Sequence, residues 1–171
     1  MTASTHPDHD NFDDDALAKV RSLIKDVRVA MLTSVDQDGG LVSRPMALQE
    51  VEFDGDLWFF SEADAPKVVN VSANPQVNVA CADDSAWVSL KGQADIVDDP
   101  DKKEELWNPF VESWFTAGPR DASIVLIRVH TESAEYWDSP GTIVTALSMV
   151  KAKLSGGTPD VGDNEIVNLE G

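Results

Sequence analysis

Three side chains able to hold an anion lie in one stretch of the chain: Arg44, Ser61 and Lys67. Arg44 interrupts an apolar run in Ser43-Arg44-Pro45-Met46. A guanidinium in a strand ordinarily reaches solvent and lays its stem along the surface. The proline after it alters that expectation. Proline removes a ladder donor, so this strand belongs at a sheet edge or bulge, where a ligand can approach the backbone. Trp58-Phe59-Phe60-Ser61 then sets bulky rings beside a hydroxyl at a strand end. Ser61-Glu62-Ala63-Asp64-Ala65-Pro66-Lys67 leads into a helix whose first residue is a proline and whose second is a lysine. A cation at the positive end of a helix dipole is unfavourable alone and favourable once an anion sits there. Free amides at that end, with Ser61, Lys67 and Arg44, make a phosphate cradle. On spacing alone, a solvated lysine and a surface arginine explain the same residues.

Other chemistry is sparse. There is no Gly-rich nucleotide loop, no Gly-x-Ser-x-Gly elbow and no His-Glu-x-x-His helix. His130 stands alone in a strand and reads as structural. Cys81 lies on an apolar strand and reads as a buried, inert thiol. A single cysteine forms neither an internal disulfide nor a cysteine-based metal site. His6 and His9 with Asp8 and Asp10 offer only weak metal binding, because an unpacked segment must be ordered to make a site.

The elements that carry these residues are short. Residues 1–13 read as a disordered acidic arm. Leu17, Val20, Leu23, Ile24 and Val27 recur at helical spacing, which predicts an amphipathic helix over 14–26. Strands follow at 28–35 and 41–48, joined by the turn Asp36-Gln-Asp-Gly-Gly40. A second hairpin is expected from Val51–Phe53, the turn Asp54-Gly55-Asp56, and Leu57–Ser61. Further strands are read at 76–82, 86–97 and 124–137. Helices are read at 66–73, at 101–114 with a break at Pro109, and at 142–154. Residues 156–171 read as a polar tail after a domain spanning 14–155. Six strands dominated by hairpins, with helices at the edges, suggest a mainly β protein built as a small antiparallel barrel.

Composition narrows the function. The 171 residues suit one domain. Thirteen basic against 31 acidic residues give a net charge of −18, which opposes nucleic-acid phosphates, and no basic patch is visible. The acidity fits solubility through self-repulsion, or a salt-adapted proteome. No apolar run approaches the about 20 residues of a membrane span. The first residues lack the pattern of a secretory signal, so a cytoplasmic protein is expected.

Taken in order, "SRPM", "LWFFSEADAPKVVNVSANPQVNVAC", "WVSLKGQADIVDD" and "WNPFVESWFTAGPRDASIVLIRVHTESAEYWDSP" resemble the general stress protein 26 branch of the pyridoxamine 5′-phosphate oxidase-like family. The resemblance spans roughly residues 14–169. It implies a six-stranded antiparallel split β-barrel with flanking helices, binding FMN (alternatively FAD) at the interface of a homodimer. By resemblance, Arg44 reaches the flavin ring or phosphate, and Pro45 and Met46 line the ring. Ser61 and Lys67 hold the phosphate. Phe59 and Phe60 lie in the strand beside the ring, and strand register decides which one faces it. Gln93 and Trp137 match positions supplied near the flavin by the barrel or the partner subunit. Trp107 and Trp114 read as core residues or as ring-stacking ones.

The resemblance implies a flavin-dependent oxidoreductase of unknown substrate, or a flavin carrier or sensor without turnover. No general acid or base is assigned. Cousins of the family hold deazaflavin or haem in such a barrel, but the phosphate-binding residues fit FMN best. Two departures stand out. Ala65 replaces the hydroxyl that many relatives carry two residues before the lysine. The Arg-Leu-x-Pro type ending of true pyridoxamine phosphate oxidases is absent, which counts against the third reading, a true pyridoxamine 5′-phosphate oxidase.

Overall fold

The computed structural model describes residues 14–138 and 163–169. The acidic arm with His6 and His9, and the helix expected over 142–154, lie outside the described residues. Helix α1 (Asp14–Ile24) opens on Asp14 and Asp15, whose carboxylates face the positive end of its dipole. Its Ala16, Leu17, Val20 and Ile24 are buried against the sheet.

Among the described residues, seven antiparallel strands form one sheet. They are β1 (Val29–Val35), β2 (Leu41–Ala47), β3 (Asp56–Glu62), β4 (Gln76–Ala82), β5 (Ala86–Val97), β6 (Ile124–Asp138) and β7 (Asp163–Asn168). Their order is β2-β1-β4-β5-β6-β3, with β7 also on β6. Helix α2 (Pro66–Ala73) links β3 to β4, and α3 (Pro100–Leu106) and α4 (Pro109–Glu112) lie between β5 and β6. As the sequence predicted, Pro109 splits the second helical stretch, and it starts α4. Asn108 caps it by accepting from the Phe110 and Val111 amides.

Alternation decides which side chains enter the barrel. Ala30, Leu32 and Ser34 of β1, and Val77, Val79 and Cys81 of β4, all face inward. The β1–β2 turn uses Asp36, whose Oδ1 accepts from the amides of Asp38 at 3.0 Å and Gly40 at 2.7 Å. Gly39 takes φ +83°, open to glycine without strain.

One irregularity lets β5 and β6 stay paired as the sheet curves. The register shifts between Lys91 and Gly92, so that Lys91 faces Ser133 and Gly92 faces Thr131. Glu132 is the extra residue of this bulge. A Cβ on Gly92 would lie 2.1 Å from the His130 carbonyl oxygen, so only glycine allows the approach.

Two expectations are corrected. Val51–Phe53 form no strand, and β3 pairs with β6 instead, Phe60 opposite Leu126. The 51–53 segment lies against α1, where the Arg21 Nε donates to the Phe53 carbonyl at 2.9 Å and Phe53 is buried in the core. Asp163–Asn168, expected within a polar tail, forms a seventh strand. Leu169 beyond it is fully buried, and that anchor draws the segment onto β6.

β3 is covered on both faces. Phe59 enters the main core, whereas Phe60 packs under α3 and α4 with Leu106, Val111, Ile124 and Leu126. Lys103 pins this second core. Its fully buried ammonium donates to Asp98 Oδ1 at 2.7 Å and to the carbonyls of Ile124 at 2.8 Å and Asp121 at 3.0 Å. Three acceptors offset the desolvation that would otherwise forbid a buried ammonium.

Candidate functional site

A groove of about 380 Å³ opens where β2, the end of β3 and the start of α2 meet. Pro45, Met46 and Ala47 of β2 form one side. β2 ends the strand order and, among the described strands, pairs only with β1, which fits the edge position that Pro45 implied. Phe60, Ser61 and Glu62 line the end of β3, and Lys67 enters from α2. Phe110, Val111, Trp114 and Phe115 complete the lining from α4 and the residues after it.

The first turn of α2 positions Lys67. Ala65 stands at the N-cap without a side-chain hydrogen bond, and Pro66 follows at the first helical position. The amide end of the helix therefore has no protein side-chain acceptor at its cap. The Lys67 ammonium is held below the ordinary lysine value of 10.5. Burial strips its water, and the Arg44 guanidinium repels it, while Glu62 pulls the other way.

Arg44 does not line the groove itself. It sits half-buried on β2 with its Nη1 donating to the Ser34 Oγ at 3.1 Å. Ser34 is buried on the neighbouring strand, so the guanidinium is fixed close enough to Lys67 to repel it. The buried Ser61 hydroxyl donates to the Glu62 carbonyl at 3.0 Å. To meet an anion it must turn away from that carbonyl.

The structure thus brings Pro45, Met46, Phe60, Ser61 and Lys67 together, with Arg44 behind them. It turns Phe59 away into the barrel. Gln93 lies at the bulge, donating its Nε2 to Glu132 Oε1 at 2.8 Å. Trp137 stands at the other end of β6, opposite Trp87. Neither lines the groove of its own chain. Sequence reasoning missed Glu62 and Phe110. Glu62 follows Ser61 directly, and Phe110 is spaced four residues before Trp114, so both signals were present.

Cys81 matches its expectation. Burial pushes its thiol up to about 12, which leaves no thiolate at neutral pH. His130 Nδ1 lies 2.8 Å from the buried Asp56 carboxylate. No group of three or more metal-ligating side chains occurs among the described residues. No described helix is long and apolar enough to cross a membrane.

The family model for "Pyridoxamine 5′-phosphate oxidase like" proteins matches residues 15–160. The chain belongs to the pyridoxamine 5′-phosphate oxidase-like family. Proteins similar to it include Protein bli-3 of Neurospora crassa, 28% identical over 158 residues that cover 85% of this chain and 76% of that protein. A Jannaschia sp. CCS1 crystal structure assigned to general stress protein 26 aligns with a TM-score of 0.75 at 24% identity, over 92% of this chain and all of the other. The general stress FMN/FAD binding protein of Xanthomonas citri aligns with a TM-score of 0.62 at 27% identity, over 74% of this chain and 90% of that one. The antiparallel sheet is therefore the split barrel of the pyridoxamine 5′-phosphate oxidase-like family, with the resemblance to general stress protein 26 borne out.

Proposed function

We propose that this protein binds flavin mononucleotide, with the phosphate on Lys67 and Arg44 and the ring along Pro45 and Met46. One observation carries the reading. In a chain of net charge −18, every described arginine and lysine pairs with a carboxylate except Lys25, Arg44 and Lys67. Two of those three repel each other beside an apolar groove. A phosphate relieves that repulsion through charge-assisted hydrogen bonds, and the apolar walls suit a flat heteroaromatic ring. The FMN/FAD binding protein of Xanthomonas citri supports the same ligand class. FAD carries a phosphate to the same cations and is the alternative.

When bound, the flavin supplies hydride or electron transfer, and the protein supplies binding, orientation and polarity. Lys67 and Arg44 neutralise the phosphate. Ser61 turns its hydroxyl from the Glu62 carbonyl to a phosphate oxygen. Met46 and Phe60 keep water from the ring. The reading includes a homodimer in which Gln93 and Trp137, remote from their own groove, serve the groove of the other copy. Exposed Val29 and Met31 on β1 and Trp87 and Trp137 on β5 and β6 give such an interface apolar surface. It also includes a cytoplasmic oxidoreductase of unknown substrate.

The test is the visible spectrum of freshly purified protein, followed by titration with FMN and FAD. Flavin bands are expected. Lys67→Ala and Arg44→Ala should each weaken flavin binding about tenfold to a hundredfold, the worth of a hydrogen bond to a charged group. A colourless protein that takes up neither FMN nor FAD overturns the reading. Oxidation of a reduced nicotinamide by the loaded protein separates an oxidoreductase from a carrier.

A further inference from the structure

Among the described residues four aromatic side chains line the groove, and with Trp107 packed on two of them they fall into two groups. Phe60, Trp107 and Phe115 pack on one another, with centroids 5.4 to 6.3 Å apart, over the second core. Phe110 and Trp114 stand outside that cluster. Their centroids lie 6.2 Å apart, edge to face, and both line the groove. Yet Phe110 is 53% exposed and Trp114 70% exposed. The pair leaves large apolar surface in water on the wall of a groove that also holds Lys67 and Ser61.

Helix geometry explains the placement. Asn108 caps α4 and Pro109 starts it; Phe110 lies in this turn, and Trp114, two residues past its end, is tied back by its amide, which donates to the Val111 carbonyl at 3.0 Å. Val111, next to Phe110, is buried and ties α4 to the second core. Phe110 and Trp114 are thereby held out over the groove by an anchored turn.

We propose that Phe110 and Trp114 stack on the ring of a bound flavin and quench its fluorescence, an inference that rests on the flavin reading above. The occupant follows from what shares the groove. A ligand whose anionic end meets Lys67 and whose planar end lies along Pro45 and Met46 brings an aromatic face within reach of both rings. A groove of about 380 Å³ leaves little room for the planar end to avoid them. Offset or edge-to-face contacts between aromatic rings favour binding beyond the area they bury. Indole stacked on a flavin also donates an electron to the excited ring, which returns it without emission.

The experiment compares wild type, Trp114→Ala, Phe110→Ala and Trp114→Phe after titration with FMN. Emission per bound flavin and Kd are read together, with the oligomeric state measured by size exclusion. Both positions are exposed, so the fold tolerates the change. The expected result is dim bound flavin in the wild type and a severalfold rise in emission in Trp114→Ala. Affinity should fall by up to about tenfold in each alanine variant, and Trp114→Phe should restore most of it. Unchanged emission and Kd in both alanine variants overturns the stacking role. So does a change of oligomeric state with flavin binding intact, which assigns the pair to a second copy of the chain. If the wild type binds no flavin, the flavin reading falls and this inference falls with it. Loss of binding in Lys67→Ala with quenching unaffected by Trp114→Ala sinks only the stacking role.

Discussion

At the scale of single residues, the proposed role of Lys67 predicts that flavin binding depends on pH. Its ammonium is destabilised in the folded protein by burial and by Arg44. A base whose folded pKa lies below its unfolded one holds fewer protons in the folded state across the interval between them. The contribution of Lys67 to apo stability therefore rises with pH towards 10.5 and is least favourable below its folded pKa. A phosphate on the ammonium reverses the sign, since it favours the charged form. Binding should take up a proton where Lys67 is partly deprotonated, and Kd should rise as pH climbs through that range. Flavin titrations from neutral pH to 10.5 check this. Lys67→Ala should flatten the slope, and an unaltered slope excludes Lys67 as the phosphate partner. That Ser61 and Lys67 meet at one groove with Arg44 nearby was legible from their spacing around the start of α2. The choice between Phe59 and Phe60 was not. Both are apolar, and only the register of β3 on β6 sends one to the barrel and the other to the groove.

At the scale of elements, the β5–β6 bulge is the most sequence-sensitive feature. Gly92→Ala would drive a methyl group into the His130 carbonyl. It should cost about 1–3 kcal/mol or more, the range for forcing atoms into a filled space. Urea unfolding should show the midpoint falling, and a midpoint equal to wild type would mean that the backbone relaxes freely there. Local patterns located β4 and β5 to the residue, because alternation over seven and twelve residues has one reading. They failed at Val51–Phe53, where a short apolar alternation does not say whether the partner is a strand or helix α1. They failed again at β7. The segment is short and mostly exposed, and its partner β6 is distant in the chain. Pairings between segments far apart in the chain leave little trace in local sequence.

At the scale of the whole molecule, charge dominates. A net −18 repels itself, and most of the described cations are already paired. Added salt screens that repulsion over about 10 Å at 0.1 M. The Tm should rise by a few degrees between 10 mM and 1 M sodium chloride, a shift of about 1 kcal/mol or more for a chain of this size. A Tm that falls with salt would show that the ion pairs outweigh the repulsion.

The placement of β7 has a consequence for handling this protein. On the side away from β5, β6 gives Ile124–His130 to β3 and Ser133–Asp138 to β7. Chain cut back before Asp163 would bare six residues of β6, with amides and carbonyls pointing outward in register. Such an edge templates pairing with other chains. Shortened versions should be made by trimming ahead of Asp14, where helix α1 rather than a strand meets the cut.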